Sequence, residues 1–182
     1  VGFNSGVSVT TGVQNTLIGA LAGDALTDAD NNVAIGYHSL NADTLGSKSV
    51  AVGPYALYSQ NFTSATNSFN TAVGADAGLL VTTGVNNTLI GGLAGDAITT
   101  GNSNAALGFG ALGSNTTASD NTATGVNALT ANTTGGSNVA VGTYSLTANT
   151  TAANNTAVGY SSLRANTTGT QNTAMGASAL DA

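Results

Sequence analysis

The sequence has no cysteine, no tryptophan and no glutamate, and a single proline. Without cysteine there can be no disulfide, no thiolate metal site and no cysteine nucleophile. Lys48 and Arg164 are the only basic residues, against a net charge of −6. Nucleic-acid binding needs clustered Lys and Arg, so no nucleic-acid partner is expected. Charged residues make up 5% of the chain, where ~25% is usual. No apolar run approaches the ~20 residues that span a bilayer. No signal peptide is visible, and Val1 falls inside a repeat unit, so the chain reads as a fragment or processed segment. So little charge with so much glycine would suggest disorder, but 41% hydrophobic residues argue against it if they recur in register.

They do recur. A glycine stands at Gly2, Gly19, Gly36, Gly53, Gly74, Gly91, Gly108, Gly125, Gly142, Gly159 and Gly176. Every step is 17 residues except Gly53 to Gly74, which is 21, so one unit carries a four-residue insertion. A longer repeat is superimposed: VTTGVQNTLIGALAGDAL from Val9 returns as VTTGVNNTLIGGLAGDAI from Val81, an offset of 72. Positions are counted here from each glycine. Position −1 is Val, Ile, Leu or Met except at Thr124, and position −2 is Ala or Leu. Position −4 is Asn from Asn15 to Asn172, with Ser49 the exception. Position +3 is Ala or Ser, and +8 is Thr from Thr10 to Thr167 in nine of the units.

A unit of this length is too short for paired helices and suits one β-solenoid turn of short strands and turns. The expected fold is all-β, a parallel β-roll of about eleven 17-residue coils in one repeat domain over residues 1–182. The T/V-A-V-G segment supplies a strand, and N-T-T-G-x-x-N supplies turn chemistry. Stacking at ~4.8 Å predicts an amide ladder of Asn and a hydroxyl ladder of Thr. Position +4 is Leu or Gly, and +7 is apolar only where +4 is Gly, as in Gly23 with Leu26 and Gly95 with Ile98. Leu112, by contrast, goes with Asn115. Each complete coil thus carries one large side chain here, as a narrow core of constant volume requires. In the strand the Ala column and the Val/Ile column point opposite ways, yet both are apolar. One coil encloses only one of them, so the other calls for a cover, most simply a second copy of the chain.

The strings KSVAVGPYAL, NNVAIGYHSL and NTAVGYSSLRANTTGTQNTAMGASAL resemble two related groups. One is the head repeat of trimeric autotransporter adhesins, with its S-V-A-I-G-x-x-A core. The other is the NTAxGxxAL-x-x-NTTG repeat of tail-fibre-like phage and bacterial proteins. The adhesin repeat is shorter, so a 17-residue coil carries a longer turn. The resemblance implies a parallel homotrimer, exposed at a cell or virion surface, that holds or makes an adhesive tip. A host surface glycan or receptor is the partner it implies.

No catalytic constellation is present, so no enzyme and no cofactor are expected. His38, the sole histidine, occupies a variable position and reads as a solvated surface residue. Asp28 and Asp30 in TDADNN read as a polar turn, because a calcium site needs six or more oxygens. The glycines lack the lysine of a phosphate loop. Sequons such as Asn115-Thr116-Thr117 follow from composition. The insertion holds Tyr58, Phe62 and Phe69, which read as a small packed cluster under the loop or, alternatively, as a protruding contact site. The expected function is a structural or adhesive segment of an extracellular surface fibre or phage tail fibre. The alternative is an ice- or carbohydrate-binding β-solenoid with a flat threonine-bearing face.

Overall fold

In the computed structural model, which describes residues 1–181, the chain is a parallel β-solenoid with no helix among those residues. Its strands are β1 (Thr16–Ile18), β2 (Val33–Ile35), β3 (Gly46–Ser47), β4 (Val50–Val52), β5 (Thr66–Asn67) and β6 (Thr71–Val73). They continue with β7 (Thr88–Ile90), β8 (Ala105–Leu107), β9 (Thr122–Thr124), β10 (Val139–Val141), β11 (Thr156–Val158) and β12 (Thr173–Met175). All but β3 and β5 form one ten-stranded sheet in chain order, and β3 pairs with β5 alone. Register never slips: Ala34 lies beside Ala51, Ala51 beside Ala72, and Ala140 beside Ala157.

Eleven glycines overcount the coils. Gly2 has only Val1 before it and no strand of its own, so ten strands enclose about nine turns.

Each main strand is three residues long because glycine ends it. The glycine after each strand has φ between 123° and 141°, which side chains rarely tolerate. The column is also closed by its neighbours: a Cβ on Gly19 or on Gly36 would meet the carbonyl oxygen of the next glycine at 2.5 Å. Beyond the glycine the backbone returns to left-handed φ at +2 and +4, where Leu40 and Leu57 both have φ 50°. A leucine there costs roughly 1–2 kcal/mol. Full burial of the same side chain offsets this by a similar amount, about 1.5–3 kcal/mol. Leu40, Leu57, Leu112, Leu129 and Leu146 are all completely buried.

The interior is built from columns. Ala or Leu at −2, Ala or Ser at +3, Leu at +4 and the residue at +7 face inward. The exchange between +4 and +7 has a third participant. A Cβ on Gly23 would meet Leu17 Cδ2 at 2.7 Å and Leu26 Cδ1 at 2.8 Å. Leu at −2 occurs only at Leu17 and Leu89, the coils whose +4 residues, Gly23 and Gly95, leave room for it.

Buried asparagines replace the lost apolar volume without leaving polar atoms unpaired. In the −4 column, Asn87 Oδ1 accepts from Asn104 N at 3.0 Å, and Asn87 Nδ2 donates to Gly101 O at 2.9 Å. Asn121 and Asn138 repeat the pattern. A second ladder runs at +7, where Asn149 Nδ2 donates to Asn132 Oδ1 at 3.0 Å. The Thr column behaves differently from a hydroxyl ladder: Thr82 Oγ1 donates to Thr99 backbone O at 3.1 Å, and Thr99 to Thr116 likewise.

Candidate functional site

Three surface features stand out from the uniform rod: the outer face of the ten-stranded sheet, the insertion, and the corner that follows each strand glycine.

Alternation along the three-residue strands sends position −2 inward and positions −3 and −1 outward. Ala51, Ala72 and Ala140 are fully buried, while the −1 residues of all ten strands reach the surface. Ile18, Ile90, Leu107 and Met175 are exposed, and Ile35, Val52, Val73, Val141 and Val158 are half-buried by their own neighbours. With Thr124 as the single polar break, the row is a continuous apolar stripe along the sheet. Beside it runs the −3 column, threonine in Thr16, Thr71, Thr88, Thr122, Thr156 and Thr173.

At the insertion the structure separates the three aromatics. Asn61 N donates to Thr82 O in the next coil, and the chain leaves the regular path after it before rejoining as β5. Phe62 turns inward and is 6% exposed, whereas Phe69 is 53% exposed with Lys48 Nζ 5.2 Å from its ring centre. Tyr58 lies apart from both and packs with Tyr55 and His38. The three aromatics thus form neither one packed cluster nor one contact site: Tyr58 keeps the regular +5 position, Phe62 faces the core and Phe69 the solvent.

Beneath the insertion lies a polar network that sequence reasoning did not anticipate. Asp43 sits at +7, the ladder position, fully buried. Its Oδ1 accepts from Gly46 N at 3.0 Å and Phe62 N at 3.1 Å, and its Oδ2 accepts from Gln60 Nε2 at 2.7 Å. Gln60 also donates to Ser49 Oγ, which pairs with Ser68 Oγ at 2.6 Å, and Gln60 Oε1 accepts from Asn70 at 2.8 Å. Burial raises the Asp43 carboxyl above its ordinary 3.8, and the hydrogen bonds from Gln60 and the backbone oppose that rise only in part. The available signal was positional: Asp43 and Gln60 take the +7 place that is asparagine in the later coils with leucine at +4, and Ser49 interrupts the −4 asparagine column.

His38 is not a solvated side chain. It is half-buried, stacked on Tyr55 at 5.6 Å and 7°, with Tyr37 edge-on at 4.2 Å and Tyr58 edge-on at 5.7 Å. Its Nδ1 is buried without a hydrogen-bond partner. His38 and Tyr55 stack because both occupy +2 in consecutive coils, a vertical relation that neither residue's local sequence reveals.

Asp28 and Asp30 join coils. Asp28 Oδ1 accepts from Thr11 Oγ1 at 2.5 Å, and Asp30 Oδ1 accepts from Val13 N at 2.8 Å. Asn115, Asn132 and Asn149, which head N-T-T sequons, are fully buried in the +7 ladder, which has no room for a glycan in the folded chain. Among the described residues, no group of three or more His, Cys, Asp or Glu side chains could hold a metal. Comparison with protein-family models, curated proteins and solved structures finds no match.

Proposed function

We propose that this chain is a shaft or head segment of an extracellular surface fibre or phage tail fibre, assembled as a parallel homotrimer through the outer face of its ten-stranded sheet. The observation that carries this reading is the −1 stripe. Soluble monomers rarely leave a continuous apolar patch beyond a few hundred Å² exposed. Charge does not compensate, since the chain has ten charged side chains in all. In-register packing of copies repeats one small contact at every coil, so weak contacts sum along the rod. The number three rests on the resemblance to adhesin heads and tail fibres, and the need for a partner rests on the residues. In this reading the segment performs no chemistry, and its partners are further copies of itself and a surface glycan or receptor at the tip. Light scattering at micromolar concentration tests it: three times the chain mass is expected, and a clean monomer would refute self-association.

A second reading, a face that matches ice or a crystalline carbohydrate lattice, is favoured by the −3 threonines. Thr122 and Thr124 share the outward face of β9, a T-x-T pair on a regular sheet. Thermal hysteresis in solution would select this reading, and its absence leaves the fibre.

A further inference from the structure

Aromatic residues are scarce here and unevenly placed. Of five tyrosines and four phenylalanines, all but Phe62 and Phe69 occupy positions +1, +2 or +5. These positions form one corner of the rod, as their ring contacts show. Tyr37 at +1 meets Tyr55 at +2 of the next coil at 5.4 Å, and Tyr55 meets Tyr58 at +5 at 5.7 Å. Six coils further on, Tyr144 at +2 meets Tyr160 at +1 of the next coil at 6.3 Å. Phe109, at +1, stands between the two pairs. At ~4.8 Å per coil the pairs are about 29 Å apart along a straight line.

The rings are presented to solvent: Tyr37 is 48% and Tyr160 58% exposed. Nothing in folding asks for them, since Ala, Thr, Asn and Asp occupy the same positions in other coils. Each pair has polar groups at hand. Asp76 follows Tyr55 in the +2 column of the next coil. Tyr144 and Tyr160 border a shallow depression of about 450 Å³ shared with Thr147 and Arg164, whose Nε is held by Asp181 at 3.2 Å.

We infer that this corner is a binding surface for a neutral polysaccharide lying along the rod, with sugar rings stacked on the Tyr37–Tyr55 and Tyr144–Tyr160 pairs. A flat pyranose ring offers an apolar C–H face to an aromatic side chain and hydroxyls around its edge to the carboxylate, guanidinium and phenol groups beside it. Anionic glycans do not fit, because the chain carries one guanidinium and one distant ammonium against eight aspartates in all. Two platforms on a rigid rod suit a chain polymer, whose second contact forms at high effective concentration once the first is made. The corner residues follow the strand glycines and belong to none of the ten strands of that sheet. The inference deepens the adhesive reading and rests on it.

The test is affinity electrophoresis of the chain in gels containing hydroxyethylcellulose, galactomannan or dextran, with dextran sulfate as the anionic comparison. The variants Tyr37→Thr with Tyr55→Asn, and Tyr144→Asn with Tyr160→Thr, use residues already found in those columns at Thr143, Asn4 and Asn127, so the fold is retained. Asn127 has φ 52°, close to the 58° of Tyr55. Retardation by at least one neutral polysaccharide is expected, none by dextran sulfate, and each double substitution is expected to weaken binding about tenfold. No retardation by any of the three, or full retention by the chain carrying all four substitutions, would overturn the site. So would tighter binding of a polyproline peptide, followed by tyrosine fluorescence. Light scattering of the same samples separates the two ideas. A trimer that ignores polysaccharide defeats the site alone, and a monomer that binds it defeats the assembly alone.

Discussion

Leu89 occupies the volume that Gly95 leaves empty: a Cβ on Gly95 would lie 2.8 Å from Leu89 Cδ2 and the same distance from Ile98 Cδ1. Gly95→Ala therefore meets both a filled core and a left-handed backbone with φ 57°, and should destabilise by about 1–3 kcal/mol. Leu89→Ala alone should cost about 2–5 kcal/mol through the cavity it opens. Together the two should cost clearly less than their sum, because each relieves the defect of the other. A double-mutant cycle by chemical denaturation checks this, and strict additivity would show that the two columns do not share volume.

The buried carboxylate of Asp43 sets a pH dependence. Its folded-state pKa is raised by burial, so the folded chain holds that proton more tightly than the unfolded chain does. Stability from this group is full below its ordinary 3.8 and is lost as pH rises through the raised value. Asp96 is shifted the same way, mainly by burial. The denaturation midpoint should be higher at about pH 4 than at about pH 7. Asp43→Asn keeps an oxygen for the N–H groups of Gly46 and Phe62 and removes the titrating charge, so the difference between the two pH values should shrink. An unchanged difference would assign the dependence to other carboxylates.

The two phenylalanines of the insertion should respond unequally. Phe62 is buried beside Gly46, whose Cβ would meet its ring at 2.7 Å, and Phe62→Ala should cost about 3 kcal/mol or more. Phe69 lies on the surface under Lys48, and Phe69→Ala should cost no more than about 1 kcal/mol. Equal losses on denaturation would mean that the loop packs as one unit.

Much of this was legible because a solenoid converts sequence period directly into spatial neighbourhood. The 17-residue glycine step places Gly19 on Gly36, and the Asn column places Asn87 on Asn104, with no long-range inference needed. The exchange of Leu112 for Gly95 plus Ile98 revealed an enclosed core of constant volume, though not the part played by Leu89. Three things were hidden. Leucines in left-handed conformation cannot be read from propensity, since only burial and the ladder on either side hold them there. The Asp43 network departs from the repeat, and a repeat argument is silent where its columns change. The corner around His38 and Tyr55 depends on which variable positions stack, and a variable position read alone indicates only exposure.

A charge on the outer sheet face should separate folding from assembly. Val73 and Val141 belong to the −1 stripe, in β6 and β10, and their side chains point away from the solenoid interior. Val73→Asp with Val141→Asp adds two carboxylates that remain hydrated in a single copy, because neither residue contributes to the buried columns. Between copies the same carboxylates would be stripped of water and would face one another, which costs several kcal/mol per interface. The variant should keep its strand signal in circular dichroism while its mass by light scattering falls from oligomer to monomer. Its thermal midpoint should also lose the dependence on protein concentration that an oligomer shows. If the mass is unchanged, the stripe is not the contact surface. If the strand signal collapses together with the mass, the single coil stack is stable only as an assembly, and the apolar face belongs to the folding core of that assembly.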